Sequence, residues 1–154
     1  MKLEELVLSI KQAKHLQDLG LNMRDASLLL VSKTYIQSID KWGCLDNEEI
    51  PYSERKWVVN FNDLNYGGTS HIEGGYEYVP TYTLQEVLDK LPKMVFHEQH
   101  CYWLYYDFVH DIIHYSSKDF KECAFVYDGL TKIDNVYFAL CWVLENGYLK
   151  EDNK

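Results

Sequence analysis

What this chain lacks comes first. No C-x-x-C pair joins Cys44, Cys101, Cys123 and Cys141. That excludes a zinc knuckle or dithiol redox motif and leaves four small hydrophobic thiols suited to a reducing compartment. No G-x-S-x-G elbow, P-loop or G-x-G-x-x-G occurs, and Gly67-Gly68 and Gly74-Gly75 lack the Lys and the strand-to-helix setting of a phosphate cradle. Cationic stretches are missing too. Fifteen Lys and Arg face 24 Asp and Glu, for a net charge of −9. Such a chain repels a phosphate backbone, so nucleic acid is not expected as a partner. No apolar run approaches bilayer length, and Met1-Lys2-Leu3-Glu4-Glu5 carries acids where a secretion signal needs positive charge. The expected location is the cytoplasm, away from membranes. With no internal repeat, low-complexity tract or linker, residues 1–154 read as one domain.

What is present codes a packed fold. Hydrophobic residues make up 47%, and the aromatics, 15% with 13 Tyr and 4 Trp, favour strands and half-buried surfaces. Residues 79–92 spell a helix with both ends marked. Thr83 caps it, Glu86 closes a capping box, and Tyr82 and Val87 have staple spacing. Leu84, Val87, Leu88 and Leu91 make one apolar face, and Pro92 stops the ladder. Ser9 with Gln12 and Gly20 bracket a first helix carrying Ile10, Ala13, Leu16 and Leu19. A third is expected from Ser116 and Asp119 through Phe120, Cys123, Ala124 and Tyr127 to Gly129. A last one is capped by Asp134, faces inward with Val136, Leu140, Val143 and Leu144, and ends at Gly147, with a Schellman contact from Tyr148 to Val143.

Strands are expected over most of residues 26–39, over 57–61 and over 94–97. Residues 40–54 read as a connection, and 67–75 as a glycine-bracketed loop or surface hairpin. Residues 102–115 fit a helical stripe of Leu104, Tyr105, Phe108, Val109 and Ile112. Their aromatic and β-branched content, without an N-cap, favours two strands bending near Asp107 to His110. The class is therefore α+β, an antiparallel sheet of about four to five strands flanked by about three to four helices.

Three segments carry a resemblance: Val79-Pro80-Thr81-Tyr82-Thr83-Leu84-Gln85 with its helix, Ala139-Leu140-Cys141-Trp142-Val143-Leu144-Glu145-Asn146-Gly147-Tyr148, and the opening Ile10 to Gly20. Over about half its length the chain resembles small uncharacterised proteins of phages, prophages and mobile elements of gut bacteria. The shared motifs cap and pack helices; the resemblance implies an origin and a fold and brings no catalytic residue.

The sharpest chemical candidate is His110-Asp111-Ile112-Ile113-His114. Two His at i, i+4 on a helix can share a zinc ion with a following carboxylate as base. Here Asp is a methylene shorter than the usual Glu, and no His lies past His114, where Glu122 and Asp128 could serve as a third ligand. His97, His100 and Cys101 form a second cluster, but on one strand His100 would point away from the other two. No metal or cofactor is assigned on this basis. The function expected is a non-enzymatic interaction or accessory protein of a mobile element, holding another protein. Tyr66, His71, Tyr102, Trp103 and Tyr105 are its partner-facing candidates. A small metal-dependent hydrolase built on His110, Asp111 and His114 is the alternative. An acidic decoy mimicking DNA comes third.

Overall fold

The computed structural model describes residues 2–62, 68–129 and 131–149. Among them the class is α+β: three α-helices and ten strands, the strands divided among antiparallel sheets of four, four and two. Where the sequence suggests one sheet of about four to five strands, the described residues form three, two of them with four strands. The chain forms two compact units, Met23–Thr81 and a discontinuous one made of Met1–Asn22 and Tyr82–Lys154.

The Met23–Thr81 unit contains β1 (Leu28–Lys33), β2 (Tyr35–Ile39), β3 (Leu45–Glu49), β4 (Val58–Phe61), β5 (His71–Glu73) and β6 (Tyr76–Thr81). Four of them pair in the order β4-β1-β6-β5. Central β1 buries Leu29, Leu30, Val31 and Ser32 in succession, as a strand covered on both faces does. Gly74 and Gly75, both at positive φ, make the two-residue turn from β5 to β6. A side chain at Gly75 would also come within 2.7 Å of the Tyr35 ring.

The run expected as one strand over 26–39 is two. It breaks at Thr34, whose N–H and hydroxyl both donate to the Gly75 carbonyl at 2.9 Å. The expected connection over 40–54 contains β3, which pairs with β2 as a hairpin, and a 3-10 turn at Tyr52–Glu54. Its polarity concealed it: every residue of β2 and β3 is exposed, so no inward face writes an alternating pattern. Asp40 builds the hairpin loop, its Oδ1 accepting from the Trp42 and Cys44 N–H groups at 2.8 and 2.9 Å. An ion pair is buried in this unit. Arg55 donates to Glu77 at 2.8 Å, both side chains under a tenth exposed, and its Nε reaches the Ile50 carbonyl at 3.3 Å.

The discontinuous unit holds α1 (Ile10–Asp18), α2 (Leu84–Lys90), β7 (Met94–His97), β8 (His100–Asp107), β9 (Ile112–Ser116), β10 (Cys123–Asp128) and α3 (Lys132–Glu145). Both expected capping boxes form, Ser9 with Gln12 and Thr83 with Glu86. The staple residues Tyr82 and Val87 are fully buried. The two chain segments are stitched together where Leu8 N–H donates to Tyr82 O at 3.0 Å and Leu84 N–H to Leu6 O at 2.8 Å. The sheet order is β10-β9-β8-β7. Residues 102–115 are the two strands expected, turning at residues 108–111.

Two expectations are corrected here. The helix read over Phe120 to Tyr127 is strand β10, because Ser117 and Asp119 close a tight turn instead of capping a helix. Phe120 leaves that turn at φ +59, which no helix continues. The last helix is capped by Thr131, whose hydroxyl accepts from Asp134 N–H at 3.2 Å. Asp134 therefore occupies the third helical position, where its charge favours the helix N-terminus. At the other end Gly147 N–H reaches Leu144 O and Tyr148 N–H reaches Val143 O, the expected Schellman pair.

Candidate functional site

Strand alternation gives the sheet β7–β10 two unlike faces. On one side α3 covers it, with Trp142 against Tyr115 and Phe125, and Tyr127 against Phe138. The register Met94↔Trp103↔Ser116 and Tyr105↔His114↔Val126 places those residues together on the opposite face, with Phe96 beside Cys101. Met94, Phe96, Val126 and the adjoining Phe120 are between 49% and 62% exposed. Isolated exposed apolar residues are ordinary; a contiguous aromatic face on one sheet is a recognition surface in the usual case.

The turn after β9 completes this face. Phe120 sits at φ +59, a conformation that costs a bulky L-residue about 1–2 kcal/mol. Its ring nevertheless lies across Tyr105 at 4.8 Å and near His114 at 6.3 Å. His114 stacks on Tyr105, centroids 5.2 Å apart and planes 22° inclined, with its Nδ1 held 2.6 Å from the Ser116 hydroxyl. Lys118 from the same turn lies 4.8 Å from the centre of the Trp103 ring.

The partner-facing candidates divide. Trp103 and Tyr105 share this face. Tyr102 alternates to the other side and is buried. His71 lies in the Met23–Thr81 unit, stacked on Tyr78 at 5.1 Å. Tyr66 falls outside the described residues. Met94, Phe96, Phe120 and Val126 are not singled out by the sequence, and His114 only as a metal ligand, although the alternation in His100–Asp107 carries the signal once the strand is accepted.

The hydrolase candidates point to separate partners. His110 lies on the turn, its Nδ1 2.7 Å from Asp107 Oδ2, while Asp107 Oδ1 accepts from the Val109 and His110 N–H groups. Asp111 pairs with Lys132, and His114 belongs to the aromatic face. Glu122 and Asp128 end up at opposite ends of β10. No group of three or more His, Cys, Asp or Glu able to hold a metal occurs among the described residues. In the second cluster, His97 and His100 face each other across a two-residue turn rather than lying along one strand, and His97 bonds the Tyr148 hydroxyl.

A Cys–His contact does exist. Cys141 Sγ lies 3.7 Å from His15 Nδ1, which also holds the Tyr137 hydroxyl at 2.5 Å. Burial pushes the Cys141 thiol up to about 11, the reverse of what a nucleophile requires.

The two histidines of the motif titrate in opposite directions. The hydrogen bond that His110 donates to the Asp107 carboxylate raises it above its ordinary 6.5. Burial lowers His114 below 6.5. His110 therefore adds stability below pH 6.5 that disappears as pH rises through its raised value. His114 adds stability above pH 6.5 that disappears as pH falls through its lowered one. A two-dimensional NMR titration is expected to give midpoints on either side of 6.5, and Asp107→Asn is expected to bring His110 down while leaving the sign of the His114 shift unchanged.

Comparisons of the chain with protein-family models, with curated proteins and with solved structures return no match.

Proposed function

We propose that this is a non-catalytic interaction protein that holds another protein on the outer face of β7–β10, as an accessory of a phage or mobile element. The observation supporting it is the solvent-facing side of that sheet, where register gathers Met94, Phe96, Trp103, Tyr105 and Val126 and the turn after β9 adds Phe120. Trp and Tyr are the side chains that most often anchor interfaces, since they bury a large area while few torsions are frozen. The separate partners of His110, Asp111 and His114, and the raised Cys141 thiol, weigh against the hydrolase alternative.

A photo-crosslinker tests this reading. p-Benzoylphenylalanine in place of Phe96 or Val126, irradiated in extract of the producing cell, is expected to give one discrete protein adduct. Excess unlabelled wild type should compete it away, whereas a Trp103→Ala, Phe120→Gly double variant should not. Phe120→Gly relieves the left-handed strain while losing the ring contacts, two opposing terms of about 1 kcal/mol each, so the fold is retained. The same adduct from a label at exposed Lys11, or no competable adduct, refutes the proposal.

A further inference from the structure

The Met23–Thr81 unit carries an arm and a groove that complement one another. The arm is the β2–β3 hairpin, exposed along both strands. A lone two-stranded ribbon is marginal in water, yet this one ends in apolar side chains: Ile39, Trp42 and Leu45 are 69–79% exposed. Ile39 and Leu45 face each other as the last pair of the ladder, and Trp42 stands in the loop that Asp40 ties, with Lys41 5.3 Å from its ring centre. Acids flank this tip at Asp40 and Asp46.

The groove opens at the arm's base. It has a volume of about 550 Å³ and an apolar floor of Val31, Ile50, Val58 and Tyr76. Lys33 and Lys56 stand on its wall against the single acid Glu54. That is a size typical of ligand pockets, and a locally basic one on a chain of net charge −9.

We infer that the occupant of the groove is the arm tip of a second copy of this chain. Trp42 is the anchor, seated over Val31 and Val58, and the acids beside the tip face Lys33 and Lys56. Because the groove lies at the base of the arm and the apolar tip at its end, two arms laid antiparallel satisfy both grooves at once. This is an isologous contact about a two-fold axis, in which each element is used twice. It covers three exposed apolar side chains per copy and supplies the ribbon with the packing it lacks alone. It is separate from the face of β7–β10 and stands or falls independently of the role proposed for that face.

Sedimentation equilibrium tests the inference. The wild type is expected to be dimeric with a Kd on the order of 10 µM. Trp42→Ser, at an exposed loop position, and Lys56→Glu with Val58→Asp, at the exposed wall of the groove, are each expected to raise the Kd at least about tenfold. Unchanged far-UV circular dichroism would show that each variant stays folded. The decisive measurement mixes them. The Trp42→Ser chain keeps its groove and the Lys56→Glu, Val58→Asp chain keeps its arm, so one of the two contacts returns and a heterodimer forms where neither variant dimerises alone. A wild type monomeric to about 200 µM, a dimer indifferent to Trp42→Ser, or a mixture that fails to associate each overturns the proposal.

Discussion

Glu77→Leu is expected to destabilise the Met23–Thr81 unit by about 3–5 kcal/mol, the usual result of removing one partner from a buried ion pair. Among the described residues, the Arg55 guanidinium would stay in place at 8% exposure with the Ile50 carbonyl at 3.3 Å and the exposed Glu49 at 3.7 Å as its remaining polar partners. Its Tyr52 neighbour, 5.3 Å below, offers a ring face and no formal charge. The double variant Arg55→Met, Glu77→Leu is expected to recover most of the loss, since an apolar pair of similar volume has no charge to desolvate. Amide exchange of β1 and β6 in rising urea measures this, because those strands report on this unit alone. A loss below about 1 kcal/mol for the single variant would mean that water reaches Arg55 and that the pair is effectively on the surface.

The second large effect is expected at Asn135. It is fully buried in the first turns of α3. Its Oδ1 accepts from Gly129 N–H and its Nδ2 donates to the Asp111 carbonyl, both at 2.5 Å. One side chain thus ties the strand preceding α3 and the β8–β9 turn to the helix. Asn135→Leu matches the volume roughly but orphans a backbone donor and a backbone acceptor, each worth about 1–3 kcal/mol when buried, for about 2–6 kcal/mol in all. Chemical denaturation of the variant gives the number. Gly129→Ala is expected to fail at the same place, since its Cβ would lie 2.5 Å from the Tyr127 ring and 2.7 Å from Asn135 Oδ1.

Legibility in the sequence followed how local each signal was. Thr83 with Glu86, Ser9 with Gln12, and Gly147 with Tyr148 are contacts between near neighbours, and each was readable and is present. The bend within 102–115 was readable from composition alone. What escaped depends on partners distant in sequence or on turns without the customary residues. β7 and β8 turn on Glu98 and Gln99, both at positive φ, where a glycine would ordinarily announce the hairpin. Ser117 and Asp119 carry the vocabulary of a helix cap and use it for a turn. The aromatic face was half visible: Trp103 and Tyr105 were identified, but Phe120 comes beside them through a left-handed residue, and Val126 through a pairing two strands away. Tyr102 lies on the covered side, since only the strand's orientation decides which of two adjacent aromatics meets water.

The discontinuity of the unit built from Met1–Asn22 and Tyr82–Lys154 has a bearing on how the molecule is made. As the ribosome delivers the chain, α1 emerges before residues 23–81 and waits for α2 and the strands beyond. Its buried residues Ala13 and Leu16 have no permanent neighbours until translation is well past Thr83. A helix of nine residues is marginal by itself in water, so α1 is expected to become fixed only once α3, whose Asp134 and Tyr137 it bonds, has been made.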